Sequence, residues 1–218
     1  MILKPTDHAA WLDARKRGLG GSDAGTAVGV NRYKSNVELW REKTGLTVPE
    51  DIGGKPAVKF GKQAEEHLRA LFALEHPEFT LDYHEFYMYV NDSLPFIYAT
   101  LDGELTDENG RRGVLEIKTA TINNPAQWGE WLDKDRQPKI PDAYYAQILH
   151  QLAATGWDFV ILYAYIRTPY GGTAARILER HIERADVEND IQYLIGQETA
   201  FWQAVEDKRQ PPRILPNI

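Results

Sequence analysis

Two runs, Tyr98-Ala99-Thr100-Leu101-Asp102-Gly103-Glu104 and Gly113-Val114-Leu115-Glu116-Ile117-Lys118, flank the turn sequence Asp107-Glu108-Asn109-Gly110. Asn-Gly between two apolar runs is a hairpin signal, so the chain is constrained to build part of a sheet here. Side chains alternate along a strand, which sends Glu116 and Lys118 to one face and turns Ile117 inward between them. The spacing predicts Asp102, Glu116 and Lys118 at the ends of two neighbouring strands. Paired carboxylates suit a hard divalent cation, and an ammonium beside them can steady a water or the charge growing on a phosphate. An isolated Glu-x-Lys is usually a solvated pair, so the reading depends on its company.

The 218 residues are enough for one domain over 1–218 with a sizeable core. The absence of cysteine excludes disulfides, zinc–thiolate sites and iron–sulfur clusters. No apolar run is long enough to cross a bilayer, and Met1–Asp7 lacks the apolar stretch of a secretory signal. A net charge of −7 argues against wide, non-specific coating of nucleic acid. The sign is uneven, however: residues 1–50 hold eight Lys/Arg against six Asp/Glu, and the remaining 17 and 26 fall after them. A narrow groove lined by local cations stays compatible with that balance.

Gly20 and Gly21 break the N-terminal pattern, with Ser22 or Asp23 placed to cap a small-residue helix. Ser35–Lys43 reads as a second helix ending at Gly45, and Val58–Glu75 as a third, stopped by Pro77. Strands are expected over Thr80–Val90, Ile97–Leu105 and Val114–Thr119, then a polar loop over 120–140. A helix from Pro141 to Ala154 ends at Gly156. A hairpin follows, Phe159–Arg167 with Ala174–Ile182, turning at Pro169-Tyr170-Gly171-Gly172, and a last helix spans Val187–Lys208. This order predicts an α/β (α+β) domain with a central mixed sheet flanked by helices.

Further residues could join the acidic group. Glu65 on the third helix could aim a carboxylate at the strand ends, while Glu66 reads as solvated. Gln147 and Gln151 lie one turn apart on a face shared with Tyr144 and could orient a water or bind a phosphate oxygen. Gly20-Gly21-Ser22 resembles a helix-start anion site, and Arg15-Lys16-Arg17 precedes it. His67, His76 and His84 lack partners at ligand spacing, and His150 reads as an ordinary helix residue. No phosphate-binding P-loop is present, which argues against an ATP motor. Trp, Leu and Tyr side chains in the 120–140 loop or near Tyr33 could wedge a duplex open.

Taken in order, Leu19-Gly20-Gly21-Ser22-Asp23, Phe60-Gly61-Lys62-Gln63-Ala64-Glu65, Leu101-Asp102-Gly103, Leu115-Glu116-Ile117-Lys118 and Tyr145-Ala146-Gln147-Ile148-Leu149-His150-Gln151 resemble the YqaJ-like viral recombinases. That group includes phage lambda exonuclease and belongs to the PD-(D/E)xK nucleases, with their restriction-endonuclease-like core. The resemblance covers roughly residues 10–165; Leu101 stands where the superfamily name has proline. It implies a metal-dependent 5′→3′ exonuclease that digests one strand of linear double-stranded DNA, without ATP or any nucleotide cofactor, as a homotrimeric ring. It implies Mg²⁺, with Mn²⁺ as a substitute, held by Asp102, Glu116, the Ile117 carbonyl and Glu65. Lys118 is then the catalytic lysine, supported by Gln147. Ser22 with Arg15, which the alignment spacing favours, or with Arg17 two residues later, would receive the 5′-phosphate. The resemblance further implies a phage- or prophage-encoded protein in the bacterial cytoplasm, away from membranes, working beside a single-strand annealing protein. A structure- or site-specific endonuclease on the same core, or a non-catalytic DNA-end binder, remains the alternative.

Overall fold

The computed structural model describes residues 1–168 and 175–215. After a two-residue strand β1 (Ile2–Leu3) come helices α1 (His8–Ala14), α2 (Gly21–Ala27), α3 (Asn36–Lys43) and α4 (Pro56–Glu75). Ser35 caps α3 by a reciprocal exchange: its hydroxyl accepts from the Glu38 N–H and the Glu38 carboxylate accepts from the Ser35 N–H. Four short strands follow, β2 (Thr80–Asp82), β3 (Met88–Val90), β4 (Tyr98–Ala99) and β5 (Gly103–Thr106), and then the long β6 (Arg112–Thr121). Helix α5 (Asp142–Thr155) leads to β7 (Phe159–Arg167), which pairs with β8 (Ala175–Glu183), and α6 (Glu188–Glu206) follows.

The main sheet has the order β2-β5-β6-β7-β8, and β1-β3-β4 form a small second sheet. Within the main sheet the β6–β7 pair is parallel and the others are antiparallel. A parallel pair needs a crossover, and α5 supplies it. The period of two along β6 divides the core. Leu115 and Ile117 pack with Leu68 and Phe72 of α4. Val114 packs on the opposite face with Ile148 and Leu152 of α5. This is the mixed sheet between helices that the sequence predicts.

The hairpin turn forms as expected: Gly110 takes φ +77°, and Asp107 Oδ1 accepts from the N–H groups of Asn109 and Arg111 at 2.9 Å each. Gly156 ends α5 in the left-handed region at φ +70°. Two expected strands divide. Thr80–Val90 becomes β2 and β3, which belong to different sheets, with Phe86 at φ +67° between them. Ile97–Leu105 becomes β4 and β5, also in different sheets, with Thr100–Asp102 as the bend. Apolar alternation shows that a segment is extended but not which partner it pairs with, so the changes of sheet carried no signal.

The 120–140 stretch is less loop-like than expected. β6 continues to Thr121, and a 3₁₀ turn over Pro125–Glu130 is capped by Asn124, whose side chain accepts from the N–H groups of Ala126 and Gln127. The expected turn at Pro169–Gly172 lies outside the described residues. No described helix is long and apolar enough to cross a membrane.

Candidate active site

Glu116 is 1% exposed and is held by three nitrogen donors. Lys118 Nζ stands 2.5 Å from Oε1, and Gln147 Nε2 donates to the same oxygen at 2.7 Å. Gln151 Nε2 donates to Oε2 at 2.5 Å. Lys118 also donates to Gln147 Oε1 at 3.0 Å and sits 5.0 Å over the Tyr144 ring. The shared face of Glu116 and Lys118 therefore meets the shared face of Tyr144, Gln147 and Gln151, as strand and helix periodicity require.

Asp102 reaches this group from the bend between the two sheets. β5 stops pairing at Gly103 opposite Leu115, which leaves Ile117 without its next strand partner. Asp102 Oδ2 takes that place, accepting from the Ile117 N–H at 2.8 Å. A strand residue points its N–H and C=O to the same edge, so the Ile117 carbonyl faces the Asp102 side as well. Glu116 and Lys118 thus lie within β6, not at its end as the spacing suggested. What ends is the neighbouring strand, and the site occupies the gap it leaves.

Helix α4 comes close to β6 at Gly61, where a Cβ would stand 3.1 Å from Thr119 Oγ1. One turn later, half-buried Glu65 enters the same electrostatic neighbourhood, while Glu66 is exposed. Arg69, one further turn along, donates to the Asp102 carbonyl at 3.2 Å.

Burial, followed by repulsion from Glu116 and Glu65, pushes the Asp102 carboxyl well above its ordinary pKa despite the opposing pull of Lys118. Burial also raises Glu65, and Glu116 adds to it while Arg69 and Lys118 oppose. Burial works against the Lys118 ammonium, yet Glu116 and Asp102 outweigh it and hold the pKa above the usual lysine value. Three carboxylates therefore share one buried ammonium, an imbalance that a divalent cation with oxygen ligands would relieve. Among the described residues, no three acidic or histidine side chains already converge as a metal cage. The donor chemistry fits a hard cation, and one Glu116 oxygen must leave its nitrogen partners to bind it.

The N-terminal segment packs against this centre. A Cβ on Gly21 would stand 3.1 Å from Gln147 Cγ, so the start of α2 lies on Gln147. Ser22 is exposed there. It does not cap α2, and neither does Asp23 from the cap position: Asp23 Oδ2 reaches back to the Gly20 N–H at 3.1 Å and pairs with Lys43 at 2.7 Å. The two arginines part company. Arg15 lies over Trp11 at 4.4 Å and within electrostatic reach of Asp23, whereas Arg17 turns out to an exposed pair with Asp13 at 3.1 Å.

Sequence reasoning did not assign two features. Gln151 is a second amide clamp on Glu116, and its position one turn from Gln147 was the available signal. His150, read as an ordinary helix residue, is fully buried, with Nδ1 2.7 Å from Glu198 Oε1 and Nε2 2.8 Å from the Tyr98 carbonyl. Glu198 lies 48 positions away on α6, and nothing local announces it. Of the wedge candidates, Trp131 and Leu132 are buried, while Tyr33 is 82% exposed.

The sequence profile of the YqaJ-like viral recombinase domain matches residues 10–158. The uncharacterized protein YqaJ of Bacillus subtilis is 29% identical over 205 residues, covering 88% of this chain and 54% of that protein. The chain thus spans about half the length of this curated relative. Among solved structures, an alkaline exonuclease from Laribacter hongkongensis superposes with a TM-score of 0.68 at 22% identity, covering 92% of this chain and 94% of the other. A phage-related exonuclease from Haemophilus somnus gives a TM-score of 0.57 at 15% identity, covering 88% and 96%. These likenesses show the fold.

Proposed function

The chain belongs to the YqaJ-like viral recombinase family, and on that premise we propose that it is a metal-dependent 5′→3′ exonuclease digesting one strand of linear double-stranded DNA. The reaction is processive and independent of ATP, and it serves phage-type recombination by single-strand annealing. The observation that carries this reading is the arrangement around β6: Glu116 clamped by Lys118, Gln147 and Gln151, with Asp102 bound to the next backbone N–H. So much buried negative charge beside one lysine is poorly explained as a device for stability.

Asp102, Glu116 and the Ile117 carbonyl would hold Mg²⁺ or Mn²⁺, with Glu65 as a further acidic ligand. The cation would polarise the phosphodiester and make a bound water acidic. Lys118, kept charged by its carboxylate neighbours, positions the attacking water and stabilises negative charge on the phosphate. Gln147 fixes Lys118 by accepting a hydrogen bond from its ammonium and fixes Glu116 by donating one to it. Ser22 and Arg15, beside the start of α2, receive the 5′-terminal phosphate. Arg17 is less suited, because Asp13 already occupies it. A homotrimeric ring around the DNA accounts for processivity, and a single-strand annealing protein takes up the exposed strand.

The test is digestion of linear and covalently closed circular duplexes in Mg²⁺, with 5′-phosphate or 5′-hydroxyl ends. Degradation of linear DNA alone, faster from a 5′-phosphate, is the expected result. Cleavage of the closed circle identifies an endonuclease on the same core, and no digestion of either identifies an end-binding protein. Sedimentation of the active enzyme as a monomer at all concentrations contradicts the ring.

A further inference from the structure

Several arginines along the main sheet meet carboxylates: Arg111 pairs with Asp107 and Glu183, Arg112 with Glu104, and Arg184 with Glu188. Arg176 on β8 has no such pair among the described residues. Its guanidinium carbon stands 3.9 Å from the centre of the Trp128 ring, with Nε and Nη2 shut off from water and lacking any hydrogen-bond partner. Nη1 is the nitrogen left within reach of solvent. The charged neighbour that acts on it is Arg136, of like sign, and burial together with that repulsion lowers the Arg176 pKa. Arg136 is exposed, at φ +61° in the turn after Asp133. Asp133 makes no ion pair with it among the described residues, and its Oδ1 accepts from the N–H groups of Asp135 and Gln137. An exposed arginine can be satisfied by water. A half-buried guanidinium with two unpartnered nitrogens, resting over an indole and repelled by a second cation, gains by binding an anion.

Its position relates it to the centre on β6. Lys118 is opposite Ala164, and Ala164 is opposite Leu178, two residues beyond Arg176 on β8. Cross-strand partners and alternate residues share a face, so Lys118 and Arg176 lie on the same side of the sheet. Trp131 and Tyr144 pack between them: Trp128, Trp131, Tyr144 and Leu178 belong to one apolar cluster, and Lys118 rests over Tyr144. Two strand spacings across and two residues along separate the two Cα atoms by roughly 12 Å. That separation corresponds to a few nucleotides of a strand rising ~3.4 Å each along its axis.

We infer that Arg176 and Arg136 form a phosphate-binding subsite for the nucleic-acid backbone, a few nucleotides from the bond held at Lys118. Trp128 fixes the plane of the Arg176 fork and Arg136 closes the site from the turn. The inference takes the identity of the polyanion, DNA, from the nuclease reading, but it makes a separate statement about binding.

The test uses the full chain and labelled linear duplex and single-stranded DNA, by fluorescence anisotropy in EDTA at several salt concentrations. Arg136→Ala and Arg176→Ala should each weaken binding about three- to tenfold at low salt. Each should also reduce the slope of log affinity against log salt by about one. Arg136→Glu should weaken binding further. Arg209→Ala, an exposed change of equal charge on the segment after α6, should leave the slope alone. Arg136 is exposed in a turn, so its variants keep the fold even if Arg176→Ala does not. Wild-type affinity and slope in the Arg136 variants overturn the subsite, as does weaker binding with an unchanged slope. If the wild type digests DNA while those variants bind normally, the subsite alone fails. If the slopes fall as expected but the wild type never digests DNA in Mg²⁺, the nuclease reading alone fails.

Discussion

Two buried carboxylates meet helix α5 within one turn, Glu116 from β6 and Glu198 from α6, and their surroundings are charged in opposite ways. Glu198 faces one imidazole. A carbonyl can only accept, so His150 Nε2 donates to Tyr98, and with Glu198 ionised Nδ1 also carries a proton. The pair is locally neutral and ties α5 to α6 and to β4, the strand that leads into Asp102. Glu116 has three donors but also two carboxylate neighbours, Asp102 and Glu65, with Lys118 as the buried counter-charge. The first arrangement balances its charge and can serve as a clamp. The second keeps an excess of negative charge, which costs stability and makes sense where a cation is to be bound.

Removing charge at the two places should therefore give opposite results. The largest effect is expected for Lys118→Ala, which should lower the digestion rate about a thousandfold or more, about 4 kcal/mol of barrier, while DNA binding in EDTA persists. Turnover at the wild-type rate in single-turnover kinetics would remove Lys118 from the chemistry. His150→Ala should cost about 3–5 kcal/mol in urea unfolding, because it strands a buried Glu198 whose Oε2 already lacks a partner. A loss below about 1 kcal/mol contradicts the clamp. The pH dependence sharpens the contrast. Burial opposes protonation of His150, but Glu198 outweighs it and raises the folded pKa above the ordinary value near 6.5. The stabilisation is then complete below that ordinary value and is lost as pH rises through the folded one. The stability gap between wild type and His150→Gln should narrow on the alkaline side.

Smaller effects should follow at the acidic centre. Gln151→Met leaves Glu116 Oε2 without its donor and should cost about 1–3 kcal/mol, measured by the same unfolding curves. Unchanged stability would mean that water replaces the amide. Asp102→Asn keeps an acceptor for the Ile117 N–H but removes a repelled charge. In chelator its melting temperature should rise by a few degrees. Added Mg²⁺ should then raise the melting temperature of the wild type and leave that of the variant almost unmoved; equal shifts in both would place the cation elsewhere.

The sequence revealed these two regions unequally. Glu116, Lys118 and Gln147 were legible because each contact runs along one face of a strand or helix, where the period alone predicts neighbours. The hairpin turn and the end of α5 were legible because Asn109-Gly110 and Gly156 carry their backbone requirements locally. The bend at Asp102 was not: Ile97–Leu105 reads as continuous strand, and only tertiary pairing shows that it changes sheets. The His150–Glu198 clamp was hidden for a related reason. It joins two helices far apart in the chain, and a buried charged pair has no periodic signature. Alignment spacing favoured Arg15 over Arg17 but left a shift of two residues open; the Asp13 pair separates them in space.

The most direct measurement is a crystal of the protein soaked in Mn²⁺, with the anomalous difference map calculated around β6. The expected result is a peak about 2.0–2.3 Å from Asp102, Glu116 and the Ile117 carbonyl, with a Glu116 oxygen released from Lys118 or an amide. A map with no peak there, and Glu116 still clamped by its three donors at saturating Mn²⁺, would contradict it.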